Sequence, residues 1–352
     1  MKIALITDTH WGIRNDNIAF QENSKKFLDE IFFPRLDADN IRDIIHLGDL
    51  VDRRKYINIS TAKRLREDFL EPVNLKYNMT IIAGNHDVYY KNTNEVNALN
   101  EVVKSYENIT VLTSPTEKKY DGSNVLLLPW ICEANRQETL ELMRTTDAQI
   151  VMGHLELAGY EMFKGSVISH GDDPVLFDRF DLVFSGHFHH RSTDGHIFYL
   201  GSHAEFTWSD YNDPKGFHIF DTETREITFV QNPFNMFEKV WYNDTDTKFL
   251  ETEIDFAKMK GKIIKVIVQN KSNLIWFDRF IESIEIENPL ELQIVEDHLN
   301  LNLEDDNDII NEAESTLNIF KKYIEGFDAK TVDKQKLENK IVELYNEALT
   351  VE

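Results

Sequence analysis

The chain has 352 residues, 41% of them hydrophobic, and 62 acidic side chains against 38 lysines and arginines give a formal net charge of −24. This length allows two domains, or one large domain with an appendage, and a core that folds without disulfides. The single cysteine, Cys132, excludes a disulfide-built scaffold, and the start MKIALITDTH and the short apolar runs predict neither a signal peptide nor a membrane span. We therefore expect a cytoplasmic protein without membrane association.

The acidic charge is unevenly distributed along the chain. Residues 281–314 contain twelve Asp and Glu and no Lys or Arg, which is half of the net charge, whereas residues 1–233 carry a net charge of −12. Binding of DNA usually shows as a basic surface, so the total charge argues on its face against a nucleic-acid partner. Because half of that charge lies in one short segment, net charge alone does not decide the substrate.

Short apolar runs dominate the first 230 residues, and each ends at a cluster of Asp, His, Asn or Gly. The runs are KIALIT, DIIHL, MTIIA, QIVM and LVF. Runs of this length bounded by turn residues predict buried strands. Helical spacing of apolar residues predicts helices over Asn23–Phe33 and Ser60–Phe69, and IFYLGS and GFHIFDTETREITFV predict later strands. The alternation predicts a sheet-centred α/β core with polar groups at the strand ends.

A different pattern begins near residue 236. KIIKVIVQN, NLIWFDRFIESI and LELQIVED predict a strand, a helix and a strand in a small unit over 236–297. An acidic linker over 298–308 follows. Amphipathic spacing then predicts helices over Ile309–Ile324 and Asp333–Leu349. These two helices either fold back on the core or dock on a helix of another protein.

Five polar clusters directly follow the strand runs. They are Asp8-x-His10, Gly48-Asp49-x-x-Asp52, Gly84-Asn85-His86-Asp87, Gly153-His154 and Gly186-His187-x-His189. In a parallel sheet such positions converge at one edge. The mixed oxygen and nitrogen donors suit Mn²⁺, Fe²⁺ or Zn²⁺ and fit a Ca²⁺ cage poorly. Seven candidate ligands are too many for one open catalytic ion and enough for two, if Asp49 bridges them.

Each motif alone has an ordinary alternative. A single D-x-H is a weak signal, GNHD is also a common turn, and a lone GH after a strand is usually a satisfied polar residue. All five motifs in this order, each after a strand, are very hard to assemble by chance.

The ordered set resembles the calcineurin-like metallophosphoesterase superfamily, whose members place these five motifs around a dinuclear centre. Tyr199-x-Gly201-Ser202 and Lys215-Gly216 resemble segments of the SbcD-type DNA double-strand-break repair exonucleases. Ser169-His170-Gly171 resembles the phage branch of that group, the nuclease subunits of bacteriophage recombination endonucleases. The motif-dense resemblance covers about residues 1–230, and over the tail it depends only on the order and type of the elements.

The resemblance implies a domain arrangement. We expect a four-layer α/β/β/α metallophosphoesterase sandwich with a small α+β cap and a C-terminal helical pair. The implied domains are a nuclease domain over 1–233, a capping and DNA-binding domain over 236–297, the acidic linker over 298–308, and a helix-turn-helix segment over 309–352 that binds an ATPase coiled coil.

The resemblance also implies roles for the motif residues. Asp8, His10 and His189 would hold one metal, and Asn85, His154 and His187 the other, with Asp49 shared. His86 would be catalytic, as a proton donor or as an imidazolium that stabilises charge. Asp52 would orient His86 and raise its basicity. Some cellular repair nucleases carry His at the Asp52 position, so the proton pathway here is expected to differ from theirs.

The remaining candidates have weaker signals. Asp87 is expected to support the GNHD turn rather than to bind metal. Arg53, Arg54 and Lys55 either contact a phosphate backbone or form a solvated charge run. The roles of His170 and His203 stay open.

The function implied is a nuclease that uses two divalent ions, Mn²⁺ with Mg²⁺ as the alternative, to hydrolyse DNA as an exonuclease and an endonuclease. It would serve DNA end processing, recombination and repair with an SMC-like coiled-coil ATPase of the SbcC type, as a homodimer within a heterotetramer. Its compartment would be the cytoplasm, which is the host cytoplasm for a phage-encoded chain. Two alternatives remain: a small-molecule phosphodiesterase or phosphatase, which has no obvious use for the appended helices, and a non-catalytic scaffold, which predicts broken ligands.

Overall fold

The computed structural model describes residues 1–103, 105–245 and 254–296, together with residue 340. The predicted linker and, apart from Lys340, the predicted C-terminal helices lie outside these residues. In chain order the strands are β1 Lys2–Ile6, β2 Asp43–His46, β3 Asn78–Ile82, β4 Ile109–Leu112, β5 Thr116–Tyr120, β6 Ser123–Leu128, β7 Ile150–Gly153, β8 Glu161–Phe163, β9 Ser166–Val167, β10 Leu182–Ser185, β11 Ser192–Thr193, β12 Ile197–Tyr199, β13 Gly216–Asp221, β14 Ile227–Gln231, β15 Phe237–Asn243, β16 Ile263–Asn270 and β17 Glu291–Glu296.

Two six-stranded sheets form the body of the protein. Their strand orders are β14-β13-β1-β2-β3-β4 and β11-β12-β10-β7-β6-β5. The strands β1 to β4 are parallel to one another, and so are β6, β7, β10 and β12. Parallel strands covered on both faces read as continuous apolar runs. The five strands predicted from such runs are confirmed as β1, β2, β3, β7 and β10.

The sheets pack face to face, and alternate residues point to different layers. Ile3 and Leu5 of β1 share the core between the sheets with Leu127 of β6. Their neighbour Ala4 lies in the core beneath the helices on the outer face of the first sheet. Leu128 lies in the corresponding core on the outer face of the second sheet. The four-layer α/β/β/α sandwich is therefore confirmed.

The two helices that the sequence predicts over Asn23–Phe33 and Ser60–Phe69 are both longer in the structure. The helices and helical turns are Ile13–Asp16, Ile18–Phe27, Leu28–Phe32, Phe33–Ala38, Ile59–Leu65, Arg66–Leu70, Glu71–Lys76, Ala98–Val103, Arg136–Thr145, Pro174–Phe177, Trp208–Asp210, Phe256–Met259 and Leu274–Ile286. Of these, Leu28–Phe32 and Arg66–Leu70 are π-type turns, and each precedes a proline near the start of the next helical segment, Pro34 or Pro72. A proline lacks the N–H of the regular helix and its ring crowds the preceding turn, and a wider π turn accommodates both effects. The helix axis therefore continues where the sequence alone predicts a stop.

The small unit after residue 236 has the predicted strand-helix-strand order. Strands β15, β16 and β17 form a parallel sheet, and the helix Leu274–Ile286 packs against it around Tyr242 and Phe280. Met236 and Phe237, at the start of this unit, pack with Phe206 of the preceding sandwich. Among the described residues, no helix combines the length and apolar character that crossing a bilayer requires.

Candidate metal centre

The five predicted motifs come together at one edge of the sandwich. Asp8, Asp49 and Asn85 follow the carboxyl ends of β1, β2 and β3, and His154 and His187 follow those of β7 and β10. Each group of strands is parallel, so the loops of each sheet open at the same edge. The two sets of loops face each other across the gap between the sheets.

One half of the site is the Asp8 cluster, which consists of Asp8, His10 and His189. One ligand-type atom of each lies within 4.8 Å of the others. The Nε2 atoms of His10 and His189 are 3.0 Å apart, and His10 Nε2 is 3.8 Å from Asp8 Oδ1. Two imidazole nitrogens at this distance need a proton or a cation between them. The cluster is therefore built to receive positive charge.

The other half is the Asn85 cluster, which consists of Asn85, His154 and His187. Asn85 Oδ1 lies 2.9 Å from His154 Nε2 and 2.9 Å from His187 Nδ1. His154 Nδ1 is 2.7 Å from the main-chain oxygen of Leu47, and because a carbonyl can only accept, Nδ1 carries a proton. The second ring nitrogen thus faces the amide oxygen of Asn85, and this contact again calls for a proton or a cation.

Asp49 lies between the two clusters. Its Oδ2 is 3.3 Å from His154 Nε2 and 3.8 Å from His10 Nε2. Its Oδ1 accepts a hydrogen bond of 2.7 Å from the backbone N–H of His86. Asp49 Oδ2 therefore lies within 4 Å of a ring nitrogen in each cluster.

The protonation of the site shows the same preference for positive charge. Burial lowers the pKa of His10, but the carboxylates of Asp52, Asp49 and Asp8 outweigh burial and raise it to about 9. Burial likewise lowers the pKa of His154, and the charge of Asp49 raises it to about 9. Burial would raise the pKa of Asp49, but the positive charge of His154 holds it well below its usual range. Divalent cations can satisfy the same carboxylate, amide and imidazole donors, and this donor set fits Mn²⁺, Fe²⁺ or Zn²⁺.

The backbone at the site is strained. The φ angles of Asp8, His10, Asp49 and His187 are 51°, 42°, 55° and 83°, in the left-handed region. Each such residue costs on the order of 1–3 kcal/mol and persists only where its surroundings hold it. The N–H of Asp8 donates to the carbonyl of Gly48 at 3.0 Å, and the N–H of His187 donates to Asp8 Oδ2 at 3.1 Å. The second bond joins the loops of the two sheets.

Two motif glycines are required by close packing. A Cβ at Gly84 would lie 2.2 Å from Asp49 Oδ1, and one at Gly186 would lie 2.1 Å from Thr7 Oγ1. Any larger residue would push these loops apart.

Asp87 has the supporting role that the sequence predicts. Its buried carboxylate accepts hydrogen bonds from the backbone N–H groups of Gly84 and Asp49, both at 2.8 Å, and of Leu50 and Val51, at 2.9 and 3.2 Å. It thereby holds the GD-x-x-D and GNHD loops in register and takes no part in either ligand cluster.

His86 and Asp52 lie beside the Asp8 cluster, but their contact differs from the predicted one. His86 Nδ1 is 2.5 Å from the main-chain oxygen of Asp52. The Asp52 carboxylate instead lies 3.6 Å from His10 Nδ1. The His86 ring packs edge-on against the His10 ring at 4.8 Å and is partly exposed. Because the carbonyl of Asp52 can only accept a hydrogen bond, Nδ1 of His86 carries a proton, and Nε2 is the ring nitrogen that can meet another partner.

Two aromatic residues beside the clusters are not marked as functional by the sequence. The ring of Phe206 lies 5.7 Å from that of His10 and 5.6 Å from that of His189. The ring of Trp130 lies 5.3 Å from that of His187. Their positions follow from packing between distant segments, and no local motif marks them.

A buried group of charges supports the His189 loop. Lys215 Nζ donates to the main-chain oxygen of His189 at 2.7 Å and pairs with Asp210 at 2.7 Å and Asp213 at 2.8 Å. The sequence marks Lys215 only as part of a family-like Lys-Gly segment. A single lysine among several acidic residues is the signal that could have found it.

The minor candidates have other partners. Arg53 pairs with Asp16 at 2.7 Å. The exposed His170 has its Nε2 3.0 Å from a carboxylate oxygen of Glu156. His203 is buried, and burial lowers its pKa to about 3, so it is neutral.

Comparison with known proteins agrees with the fold and the motifs. Residues 1–191 match the family model described as calcineurin-like phosphoesterase. The chain is 31% identical to exonuclease subunit 1 of Enterobacteria phage T4 over 99% of both chains. It is 25% identical to the SbcD subunit of the SbcCD nuclease of Staphylococcus saprophyticus, over 65% of this chain and 67% of that protein. The corresponding protein of Staphylococcus epidermidis is 27% identical over 65% of this chain and 69% of its own length. The chain thus belongs to the calcineurin-like phosphoesterase family.

Proposed function

We propose that this chain is the nuclease subunit of a DNA-processing complex and that it hydrolyses phosphodiester bonds with two divalent ions, Mn²⁺ in preference to Mg²⁺. The observation that carries the proposal is the position of Asp49 Oδ2 within 4 Å of both ligand clusters. DNA as the substrate is supported by the names of the similar proteins, one an exonuclease subunit and two nuclease subunits. Exonuclease and endonuclease activity in end processing, recombination and repair would follow.

The two ions would be held by different clusters. Asp8, His10 and His189 would hold one ion, and Asn85, His154 and His187 the other, with Asp49 shared. When bound, such a pair supplies Lewis-acid charge for the phosphodiester and lowers the pKa of the attacking water.

His86 would handle the proton of the leaving group. Because the carbonyl of Asp52 fixes Nδ1, the protonated ring presents only its Nε2 proton to substrate. An imidazolium there can stabilise the charge that develops on the phosphoryl oxygens and then protonate the leaving oxygen. Asp52 would act mainly on His10, which its carboxylate approaches.

The segment after Asp52 would contact the DNA backbone. Within the described residues, Arg54 Nη1 is buried without a hydrogen-bond partner, and Lys55 is exposed. The exposed ammonium of Lys55 is suited to phosphate oxygens, and the partly exposed guanidinium of Arg54 can add a second cation. Arg53, which is tied to Asp16, would fix the loop instead. The cap over 236–297 would hold the duplex from the other side.

The complex would contain an SMC-like ATPase of the SbcC type. Residues 309–352 would bind its coiled coil, and the similarity to exonuclease subunit 1 covers 99% of this chain, so it includes that segment. The ATPase would supply most of the basic DNA surface, because this chain carries a net charge of −24. The complex would work in the cytoplasm, which for a phage-encoded chain is that of the host.

A homodimer within a heterotetramer is part of the proposal. A groove of about 460 Å³ beside Ile59–Leu65 is lined by Leu70 and Val102, and Ile59 at its rim is 89% exposed. A second copy of the chain would cover the apolar residues of this groove, whose lining also includes Lys63 and Arg66. We expect Val102→Glu to give a monomer in analytical ultracentrifugation of a protein that is otherwise dimeric.

The test is digestion of labelled linear duplex DNA with Mn²⁺, beside a chromogenic phosphodiester, with and without the ATPase partner. DNA shortening that is lost in His86→Ala and kept in His196→Ala, whose ring bonds the carbonyl of Phe180 away from the clusters, supports the nuclease. Hydrolysis of the chromogenic ester alone, even with the ATPase present, would favour the small-molecule phosphodiesterase.

A further inference from the structure

Beside the Asn85 cluster lies a cavity of about 160 Å³ that the proposed mechanism does not use. It shares His154 with that cluster, and segments near Trp130, Glu156 and Gly171 form its other walls. Whatever occupies the cavity is therefore next to a group bound at the metal centre.

Trp130, one wall of the cavity, is fixed by its main chain. Its N–H donates to the carbonyl of Ala83 at 2.7 Å. Its own carbonyl accepts from Nδ2 of Asn94 and from Nδ2 of Asn135, both at 2.9 Å. Both asparagines are buried, so this tryptophan is positioned in advance, and little ordering is left for a ligand to bring about.

The indole is placed against the ligand rings. Its centre is 5.3 Å from that of His187 and 6.1 Å from that of His154. The residue is partly exposed and lies two positions beyond the end of β6. A partly exposed aromatic side chain that lines a cavity beside a phosphodiester site is suited to stacking with a nucleobase.

The opposite wall is polar and charged. Glu156 has one carboxylate oxygen 3.0 Å from His170 Nε2 and the other 4.0 Å from His187 Nε2. At the rim, Arg136 pairs with Asp172 at 2.5 Å. A carboxylate only accepts hydrogen bonds, so it favours a partner with N–H groups, such as the amino edge of a base.

The Ser169-His170-Gly171 segment closes the cavity from outside. The N–H of Asp172 donates to the carbonyl of Glu156 at 2.8 Å, which draws the segment in. At Gly171 the φ is +109°, and a Cβ there would lie 2.6 Å from that carbonyl. Only glycine permits this approach, so the motif has a structural reason to be present at this wall.

We propose that this cavity is the subsite for the base of the nucleotide that adjoins the scissile phosphate on the Asn85 side. The base stacks on Trp130, and Glu156 accepts a hydrogen bond from its exocyclic amino group, which guanine, adenine and cytosine have and thymine lacks, so the first three are preferred. The inference rests on the proposed function, because that function places the scissile phosphate between the Asn85 and Asp8 clusters.

The first test compares oligonucleotides that carry either a base or a tetrahydrofuran abasic residue at each nucleotide flanking the cleaved bond. Stacking on an aromatic side chain is worth about 1–3 kcal/mol, so Trp130→Ala should slow hydrolysis of the base-containing strand about tenfold. On the abasic strand the same substitution should cost little, because there is no base to lose. Trp130→Phe should recover most of the loss, and Leu75→Ala, at an exposed position on the helix Glu71–Lys76, should have no effect. An equal loss on both strands, or no loss on either, would overturn the subsite.

The second test measures binding without turnover. Equilibrium dialysis with dGMP, dTMP and 2-deoxyribose 5-phosphate should show dGMP binding about tenfold more tightly than the base-free sugar phosphate, and Trp130→Ala should remove that difference. Glu156→Gln should weaken dGMP more than dTMP. If the protein binds dGMP in this way but cuts no DNA, the subsite stands and the proposed function fails. If it cuts DNA but binding and cleavage do not depend on the base, the function stands and the subsite fails.

Discussion

His10 and His154 occupy corresponding places in the Asp8 and Asn85 clusters, but different kinds of atom lie next to their Nδ1 atoms. His154 Nδ1 is held by the main-chain oxygen of Leu47 at 2.7 Å. His10 Nδ1 has the Asp52 carboxylate at 3.6 Å. The main-chain oxygen of Leu47 is present whatever side chain stands at that position, whereas the Asp52 carboxylate can be removed by one substitution. The Asp8 cluster is thus the half of the site whose properties can be changed by its neighbours.

The segments beneath the clusters differ in the same sense. The His189 loop depends on Lys215, a buried cation whose charge is balanced by Asp210 and Asp213. The Asn85 cluster has beside it Trp130, whose main chain is held without any buried charge, by the carbonyl of Ala83 and by the amide side chains of Asn94 and Asn135. We therefore expect substitutions in supporting residues to disturb the Asp8 cluster more than the Asn85 cluster.

The largest effect is expected at Asp49, because this residue lies beside both the Asp8 cluster and the Asn85 cluster. Asp49→Asn keeps the shape of the side chain but removes the charge that two ions would share. Hydrolysis of DNA should fall by about a thousandfold, and both Mn²⁺ ions should bind more weakly in calorimetric titration. Asp147→Asn, at an exposed position, is the control. Loss of only one ion would show that Asp49 does not bridge.

Lys215→Met should destabilise the protein and empty the Asp8 cluster first. It leaves Asp210 buried without its cationic partner, although Asp213 keeps its contact with His190 Nδ1 at 3.0 Å, and loss of one partner of a buried pair typically costs about 3–5 kcal/mol of unfolding free energy. Lys262→Met is the matched control, because its pair with Glu238 at 2.9 Å is partly exposed and worth about 0–1 kcal/mol. Urea unfolding measures both, and equal losses for the two variants would contradict the structure.

Asp52→Asn tests the difference between the two histidines directly. The main-chain contact to His86 survives this substitution, and only the carboxylate beside His10 is lost. Affinity for one of the two Mn²⁺ ions should fall about 10–100-fold, as for other residues that orient a ligand, with the second ion little affected. If instead the pH dependence of the rate moves and ion affinity does not, Asp52 acts through His86, as the sequence alone predicts.

Glu205→Gln addresses the junction between the cap and Phe206, which packs against the Asp8 cluster. Burial raises the pKa of Glu205 to about 7, although its carboxylate accepts the N–H groups of Met236 and Phe237. The folded chain holds this proton more tightly than the unfolded chain, so stability is full at low pH and is lost as pH rises from about 4 to about 7. Because Gln does not titrate, Glu205→Gln should reduce this pH-dependent loss of unfolding free energy by about 2 kcal/mol.

Urea midpoints at pH 5 and pH 8 provide the measurement. The difference between the two pH values should be smaller for Glu205→Gln than for the unchanged protein, and Glu238→Gln on the cap should leave it unaltered. An unchanged pH dependence in Glu205→Gln would assign the effect to other groups.

Much of the fold is predictable from local patterns. The apolar runs before Asp8, Asp49 and Asn85 form parallel strands. Such strands are covered by helices on one face and by the other sheet on the second face, so most of their side chains are apolar and the run is nearly continuous. The helix ends are not predictable in the same way. The predicted helices end at Phe33 and Phe69, before Pro34 and Pro72, but π turns ahead of these prolines let each helix continue.

The sequence by itself determined which donor types stand at the strand ends, since the order of motifs after strands places carboxylates, imidazoles and an amide at one sheet edge. Only the tertiary structure decided which atom meets which. The Asp52 carboxylate faces His10 rather than His86, and Lys215 reaches the carbonyl of His189 across 26 residues of chain. Trp130 stands beside His187 because strands from the same sheet end together. Periodicity and turn residues report local geometry, whereas these contacts depend on how loops from two sheets pack across a gap.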